Sequence, residues 1–224
     1  MSAVLFGSIS TLADTSELQR DAFNRAFEAH DLDWTWDRET YLEMLDTNGG
    51  KDRIASYASS RSEDVDAEAV HATKSQIFQE SLASADVSPR EGVVETIATA
   101  TDQGASVALV TTTSAQNIDA LLTALRPDVK ASHFHLVVDA TDVDQGKPNP
   151  AAYTHALQKL GVTAGECVAI EDNVGGLQAA QEAGITCVAF PNSNTAGHDF
   201  ESAAARVDRL DSSELLAMTS GTGS

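Results

Sequence analysis

Residues 167–176 read Cys167-Val168-Ala169-Ile170-Glu171-Asp172-Asn173-Val174-Gly175-Gly176. An apolar run runs straight into two carboxylates. A helical pattern from Val174 to Ala183 follows and ends at Gly184, a natural C-cap. A short, continuous, β-branched run reads as a strand buried on both faces, as in a parallel sheet. Carboxylates left at its end stand at the edge where open α/β sheets hold their ligands.

The same pattern recurs outward from this stretch. Val4–Phe6, Ser106–Thr111, Phe134–Val138 and Thr186–Phe190 are further short apolar runs. Helical patterns lie between the later ones: Ser114 to Leu125, with Ile118, Leu121, Leu122 and Leu125 on one face, and Pro150 to Leu160, opened by a proline where its missing N–H is harmless. Alternation of this kind predicts an α/β fold with a doubly wound, mostly parallel Rossmann-like sheet. The gap between the first two runs is too long for one crossover. Thr15 to His30, Arg38 to Leu45, Arg53 to Ser59 and Ala67 to Ala83 are helical in pattern, broken at Asn48-Gly49-Gly50. We therefore expect a core of residues 1–14 and 86–218, a helical cap of residues 15–85, and a flexible tail at 219–224.

The chain has 224 residues, 34 of them acidic and 14 basic, for a net charge of −20. That field repels phosphate backbones and anionic membrane surfaces, so neither nucleic acid nor membrane is an expected partner. The N-terminus enters a strand at once and leaves no room for a secretory signal. Cys167 and Cys187 sit in apolar runs and read as buried thiols, which fits a cytoplasmic protein. A monomer or weak dimer is expected. The acid is spread along the whole chain, as in proteins adapted to a salty cytoplasm, where screening tolerates a large charge.

Four segments leave strands at the ligand edge: Gly7 to Thr11, Thr111 to Ser114, Gly146 to Pro150, and Glu171 to Asn173. Hydroxyls, a lysine and paired carboxylates converging there suggest a phosphate and Mg²⁺ site. Taken in order, these segments resemble the haloacid dehalogenase superfamily of phosphatases and phosphotransferases, and within it the group of CbbY phosphatases and β-phosphoglucomutase. The resemblance also covers Ala22-Phe23-Asn24-Arg25-Ala26-Phe27, Leu32-Asp33-Trp34-Thr35-Trp36, Gly49-Gly50-Lys51-Asp52-Arg53-Ile54 and Lys147-Pro148-Asn149-Pro150.

One motif departs from the family. It writes Asp-x-Asp-Gly-Thr-Leu-x-Asp-Thr after the first strand; this chain writes Gly7-Ser8-Ile9-Ser10-Thr11-Leu12-Ala13-Asp14-Thr15. By resemblance, Gly7 stands at the nucleophile position and Ile9 at the acid/base position. A glycine cannot attack phosphorus and an isoleucine cannot move a proton. Loss of a nucleophile costs roughly 10⁴–10⁶ in rate.

The resemblance implies a weakened Mg²⁺ site of Asp172, Glu171 and the Ile9 carbonyl. It places a small phosphorylated metabolite or phosphate anion on Ser8, Ser10, Thr11, Thr111, Thr112 and Lys147. Gly50, Lys51 and Arg53 would reach its far end. Lys147 and Thr111 are the surviving catalytic positions. Lys147 either recruits an anion or is a structural ion pair with Glu171 or Asp172. The expected function is a degenerate phosphatase that binds a phosphorylated molecule. The alternatives are hydrolysis through a metal-bound water or a serine, and a purely structural role.

The charge distribution predicts salt-dependent folding. The urea midpoint should rise steadily from dilute buffer to molar KCl; full stability in dilute buffer would contradict adaptation to salt.

Overall fold

The computed structural model describes residues 2–46 and 49–219. Among them, six strands form one parallel sheet: β1 (Ala3–Phe6), β2 (Ser106–Val110), β3 (Leu136–Val138), β4 (Cys167–Glu171), β5 (Thr186–Ala189) and β6 (Ala205–Arg206), in the order β3-β2-β1-β4-β5-β6. Every residue of β1, β2 and β4 is buried, as their continuous apolar runs require. β1 lies between β2 and β4, with Phe6 level with Leu109 and Ile170. That register delivers Gly7, Val110–Thr111 and Glu171–Asp172 to one point on the carboxyl edge.

Two strand expectations change. Phe134 caps the 3-10 segment Ala131–His133 in extended backbone outside the sheet, so β3 starts at Leu136. β6 is a two-residue strand without an apolar run. It is defined by its pairing with β5, Val188 beside Ala205 and Ala189 beside Arg206.

Helices cover both faces of the sheet: α6 (Val93–Asp102), α7 (Ala115–Ala124), α8 (Ala151–Leu160), α9 (Val174–Glu182) and α10 (Ser212–Met218). The helices α6 and α10 are additions to the sequence reading. Val93, Ile97 and Ala100 do lie on one helical face, but threonines dilute the pattern. Gly92 opens α6 at a positive φ of 85°, and a Cβ there would overlap the Leu210 carbonyl. Gly184 follows α9 at φ 77°, as expected of a C-cap. Both cysteines are free and buried.

Between β1 and β2 lie α1 (Ile9–Leu12), whose Ile9 and Leu12 pack into the core of the sheet, and then the helices of the insert, α2 (Ser16–Ala29), α3 (Arg38–Glu43), α4 (Gly50–Ser60) and α5 (Ala67–Ser84). Here α4 starts three residues before the expected Arg53, and α3 ends two residues before Leu45 in the 3-10 turn Met44–Asp46. Part of the insert has an aromatic core of its own, built on Phe23, Phe27, Trp34, Trp36 and Tyr41. The Trp36 and Phe27 rings meet edge-on, 4.6 Å apart. Ala22, Phe78 and Leu82 instead join the core of the sheet, which seats the insert over the carboxyl edge. Arg90, on the chain's return to the core, fastens this junction. Its guanidinium donates to the carbonyls of Ser10, Phe190 and Pro191.

No helix among the described residues is long and apolar enough to cross a membrane. The expected tail at 219–224 is described only at Thr219, which is buried and bonded back to the Leu216 carbonyl.

Candidate functional site

The site begins at the end of β1. Gly7 extends the strand ladder, its N–H donating to the Ile170 carbonyl at 2.8 Å. Ser8 caps α1, accepting from the Ser10 N–H. Ile9 turns inward and belongs to the apolar core, while its carbonyl accepts from the Ala13 N–H at 3.3 Å. Thr11 is wholly buried, with its hydroxyl bound to the Ser8 carbonyl at 2.6 Å. Ser8, Ile9 and Ser10 of this loop line the cleft, with the Ser10 hydroxyl 3.2 Å from that of Thr15.

Beneath the loop sits a closed ionic knot. Lys147 Nζ donates to Glu171 Oε1 at 2.6 Å, to the Val110 carbonyl at 2.7 Å and to the Gly7 carbonyl. All three of its protons are engaged inside the protein, which leaves none for a bound anion. The Tyr153 hydroxyl donates a second bond to Glu171 Oε1, at 2.8 Å. Glu171 is 0% exposed, and its Oε2 has no hydrogen-bond partner. Burial raises the Glu171 carboxyl above its ordinary value, while Lys147 pulls the other way. Burial, then Glu171, likewise raises the Tyr153 phenol.

Two glycines make room for that carboxylate. A Cβ on Gly7 would overlap Glu171 Oε1 and the Tyr153 hydroxyl; a Cβ on Gly176 would overlap both Glu171 oxygens. The Glu171 carboxylate therefore fills the volume that any side chain at position 7 would need.

Asp172 lies beside the knot and lines a smaller pocket with Ser10, Tyr41, Arg53 and Asn192. Its Oδ1 accepts from Ser8 Oγ at 2.7 Å and Asn173 Nδ2 at 2.9 Å, and its Oδ2 from Asn192 Nδ2 at 2.7 Å. The Mg²⁺ set implied by the resemblance does not assemble from these atoms. Glu171 is bound to Lys147, both oxygens of Asp172 are bound to neutral donors, and the Ile9 carbonyl already accepts one bond inside α1. Among the described residues, no group of three His, Cys, Asp or Glu side chains is placed to hold a metal.

Above these loops the insert closes a cleft of about 650 Å³. Thr111 and Thr112 line its core side, and Thr111 Oγ1 accepts from the Thr113 N–H at 3.2 Å. Gly50, Lys51 and Arg53 line its other side, and Lys51 is exposed. Arg53 is buried, donates to the Met44 carbonyl and lies over the Phe23 and Tyr41 rings.

Two further bases were not singled out from sequence, Lys74 and His71 on α5. Lys74 is 5% exposed, donates to Gln19 Oε1 and sits over Phe23 and Phe78. Burial first, then the Arg53 charge, pushes its amine down to about 7. His71 is pushed down to about 4 by burial, then by Lys74, Lys51 and Arg53. A sequence signal existed: Val70, Lys74, Phe78 and Leu82 form an i, i+4 stripe on the buried face of α5, with a lysine at an apolar position.

A family model described as haloacid dehalogenase-like hydrolase matches residues 10–190. The protein CbbY of Rhodobacter capsulatus is 37% identical over 221 residues, covering 97% of each chain. The crystal structure of CbbY from Rhodobacter sphaeroides in complex with phosphate superposes with a TM-score of 0.87 at 36% identity, covering 93% of this chain and 94% of that one. A mutant of the same protein in complex with xylulose-(1,5)-bisphosphate matches equally well.

The site yields two predictions. Glu171→Gln leaves the Lys147 charge buried without an anion and should lower unfolding stability by about 3–5 kcal/mol, and adding Lys147→Met should restore most of it; urea titration reads both. Because the fold depresses the Lys74 value from 10.5 to about 7, the unfolded chain holds more protons across that window, and stability rises with pH there. Lys74→Met should flatten that rise, while weakening anion binding below pH 7, where Lys74 is charged.

Proposed function

The chain belongs to the haloacid dehalogenase-like hydrolase family, and on that premise we propose that this CbbY-like member holds a phosphorylated small molecule in its cleft without hydrolysing it through an aspartyl-phosphate. One observation carries the reading: position 7, at the end of β1, is a glycine whose side-chain space is filled by the Glu171 carboxylate. That arrangement supplies no nucleophile, because Glu171 is wholly enclosed and ion-paired. Ile9 supplies no acid. What survives is a cleft with hydroxyls from Ser8, Ser10 and Thr112 on one side and Lys51, Arg53 and Lys74 on the other. Bases gathered in a pocket of a protein with a net charge of −20 favour an anionic ligand. The sugar bisphosphate held by the Rhodobacter sphaeroides relative is the model for its class. We place the protein in the cytoplasm, with its acidic exterior suited to high salt.

A second reading has one contact in its favour. Ser8 Oγ donates to Asp172 Oδ1 at 2.7 Å, the geometry of a hydroxyl beside a base. Asp172 is a poor base for this task, since Asn173 and Asn192 already share its charge.

Calorimetry with inorganic phosphate and a panel of sugar phosphates in high salt, run beside a phosphate-release assay, tests the proposal. We expect saturable binding and release no faster than the blank. Wild-type turnover at ordinary enzyme rates, on the order of 10 s⁻¹, would overturn it. Such turnover lost in Ser8→Ala would establish the serine route. Absence of binding by any ester would leave the cleft without a ligand and the proposal refuted.

A further inference from the structure

We propose that Glu171 is the internal counterion of Lys147, standing in for the carboxylate absent at position 7, and that the cleft consequently takes its anion without a divalent cation. The inference rests on the proposed ligand binding only for what the cleft holds; the behaviour toward cations follows from the knot alone.

Lys147 and a metal compete for a single anion. Lys147 is 7% exposed on its side chain, and its Nζ meets two carbonyls and one carboxylate, that of Glu171. Carbonyl dipoles solvate an ammonium but do not neutralise it, and a buried charge without a counterion is strongly disfavoured. A carboxylate at position 7 would satisfy Lys147 and release Glu171. Gly7 offers none, so Glu171 cannot turn toward a metal without stranding the lysine. Its position is also fixed by shape, between Gly7 and Gly176 and under the Tyr153 hydroxyl.

Asp172 is then the only other acid of the pair, and three neutral donors already bind its two oxygens. To bind there, Mg²⁺ would have to displace the Ser8 hydroxyl and two amides. It would also shed hydration that it gives up reluctantly, for one anionic ligand. The Ile9 carbonyl, which accepts one bond inside α1, is a neutral ligand and adds no charge to offset that dehydration.

Manganese(II), whose free aqueous ion has a distinctive electron paramagnetic resonance spectrum, is the probe. It is titrated into wild type, Gly7→Asp and Asp172→Asn, each with and without inorganic phosphate, and thermal unfolding is followed with MgCl₂ at matched ionic strength. In wild type we expect the free-ion spectrum throughout and no magnesium-specific shift. In Gly7→Asp, the new carboxylate takes over Lys147, Glu171 is released, and manganese affinity rises roughly tenfold or more. Wild-type uptake of one manganese at sub-millimolar concentration, abolished by Asp172→Asn, would overturn the proposal. So would a folded Gly7→Asp that binds the ion no better than wild type. If Gly7→Asp does not fold, Gly7→Asp/Tyr153→Phe removes the second overlapping group. Should that fail too, the wild-type and Asp172→Asn spectra decide the matter by themselves.

Discussion

A single buried ammonium organises the carboxyl edge of this sheet. Lys147 reaches the end of β1 through the Gly7 carbonyl, the end of β2 through the Val110 carbonyl, and the end of β4 through Glu171. Three adjacent central strands are thereby tied at the point where the ligand cleft begins. Desolvating an ammonium is tolerable only with an anion at hand. With no side chain at position 7, the nearest residue able to supply one is Glu171, and it does so from a site with no exposure to solvent. The knot stabilises the edge and removes two ionisable groups from the cleft together.

The same choice propagates outward. With Glu171 withdrawn, Asp172 is held by hydrogen bonds to Ser8 and Asn192. The loop carrying Asn192 is shaped by that contact and by Thr195, whose hydroxyl binds the Asp172 carbonyl at 2.5 Å. Ser193 in this loop in turn meets Asp14 and Ser16 at the start of α2 and the Arg38 guanidinium on α3. The carboxyl of Asp14 is held below its ordinary value although burial opposes this, because Ser16 and Ser193 donate to it. A continuous polar path thus runs from Asp172 to the insert, and the donors that meet its two carboxylates, Asp172 and Asp14, are neutral. Such contacts set geometry without adding positive charge that an anion could use.

Sequence was informative where one physical rule dominates. Buried parallel strands must be continuously apolar, so β1, β2, β4 and β5 stand out, as does the long helical interruption after β1. It was silent where pairing alone defines an element, as in β6, or where threonines blur an amphipathic stripe, as in α6. The site was legible in its parts: Gly7, Ile9, Lys147, Glu171 and Asp172 could all be placed at one edge, and Lys147 could be given Glu171 or Asp172 as partner. Which acid it takes depends on the shape of a void between Gly7 and Gly176, and two glycines far apart in the chain do not announce that they face each other.

The buried amine of Lys74 bears on whether the cleft is a working site or a remnant. Its neighbours Val70, Phe78 and Leu82 show that this face of α5 is built for apolar side chains. A methionine of similar length would fill the space and carry no desolvation cost, so the lysine works against the stability of the empty protein. An anion in the cleft reverses that sign, because it favours the charged amine that burial alone disfavours. Lys74 is thus at odds with the fold when the cleft is empty and in accord with it when an anion is bound. That balance is what the proposed anion binding would require of a residue in this position.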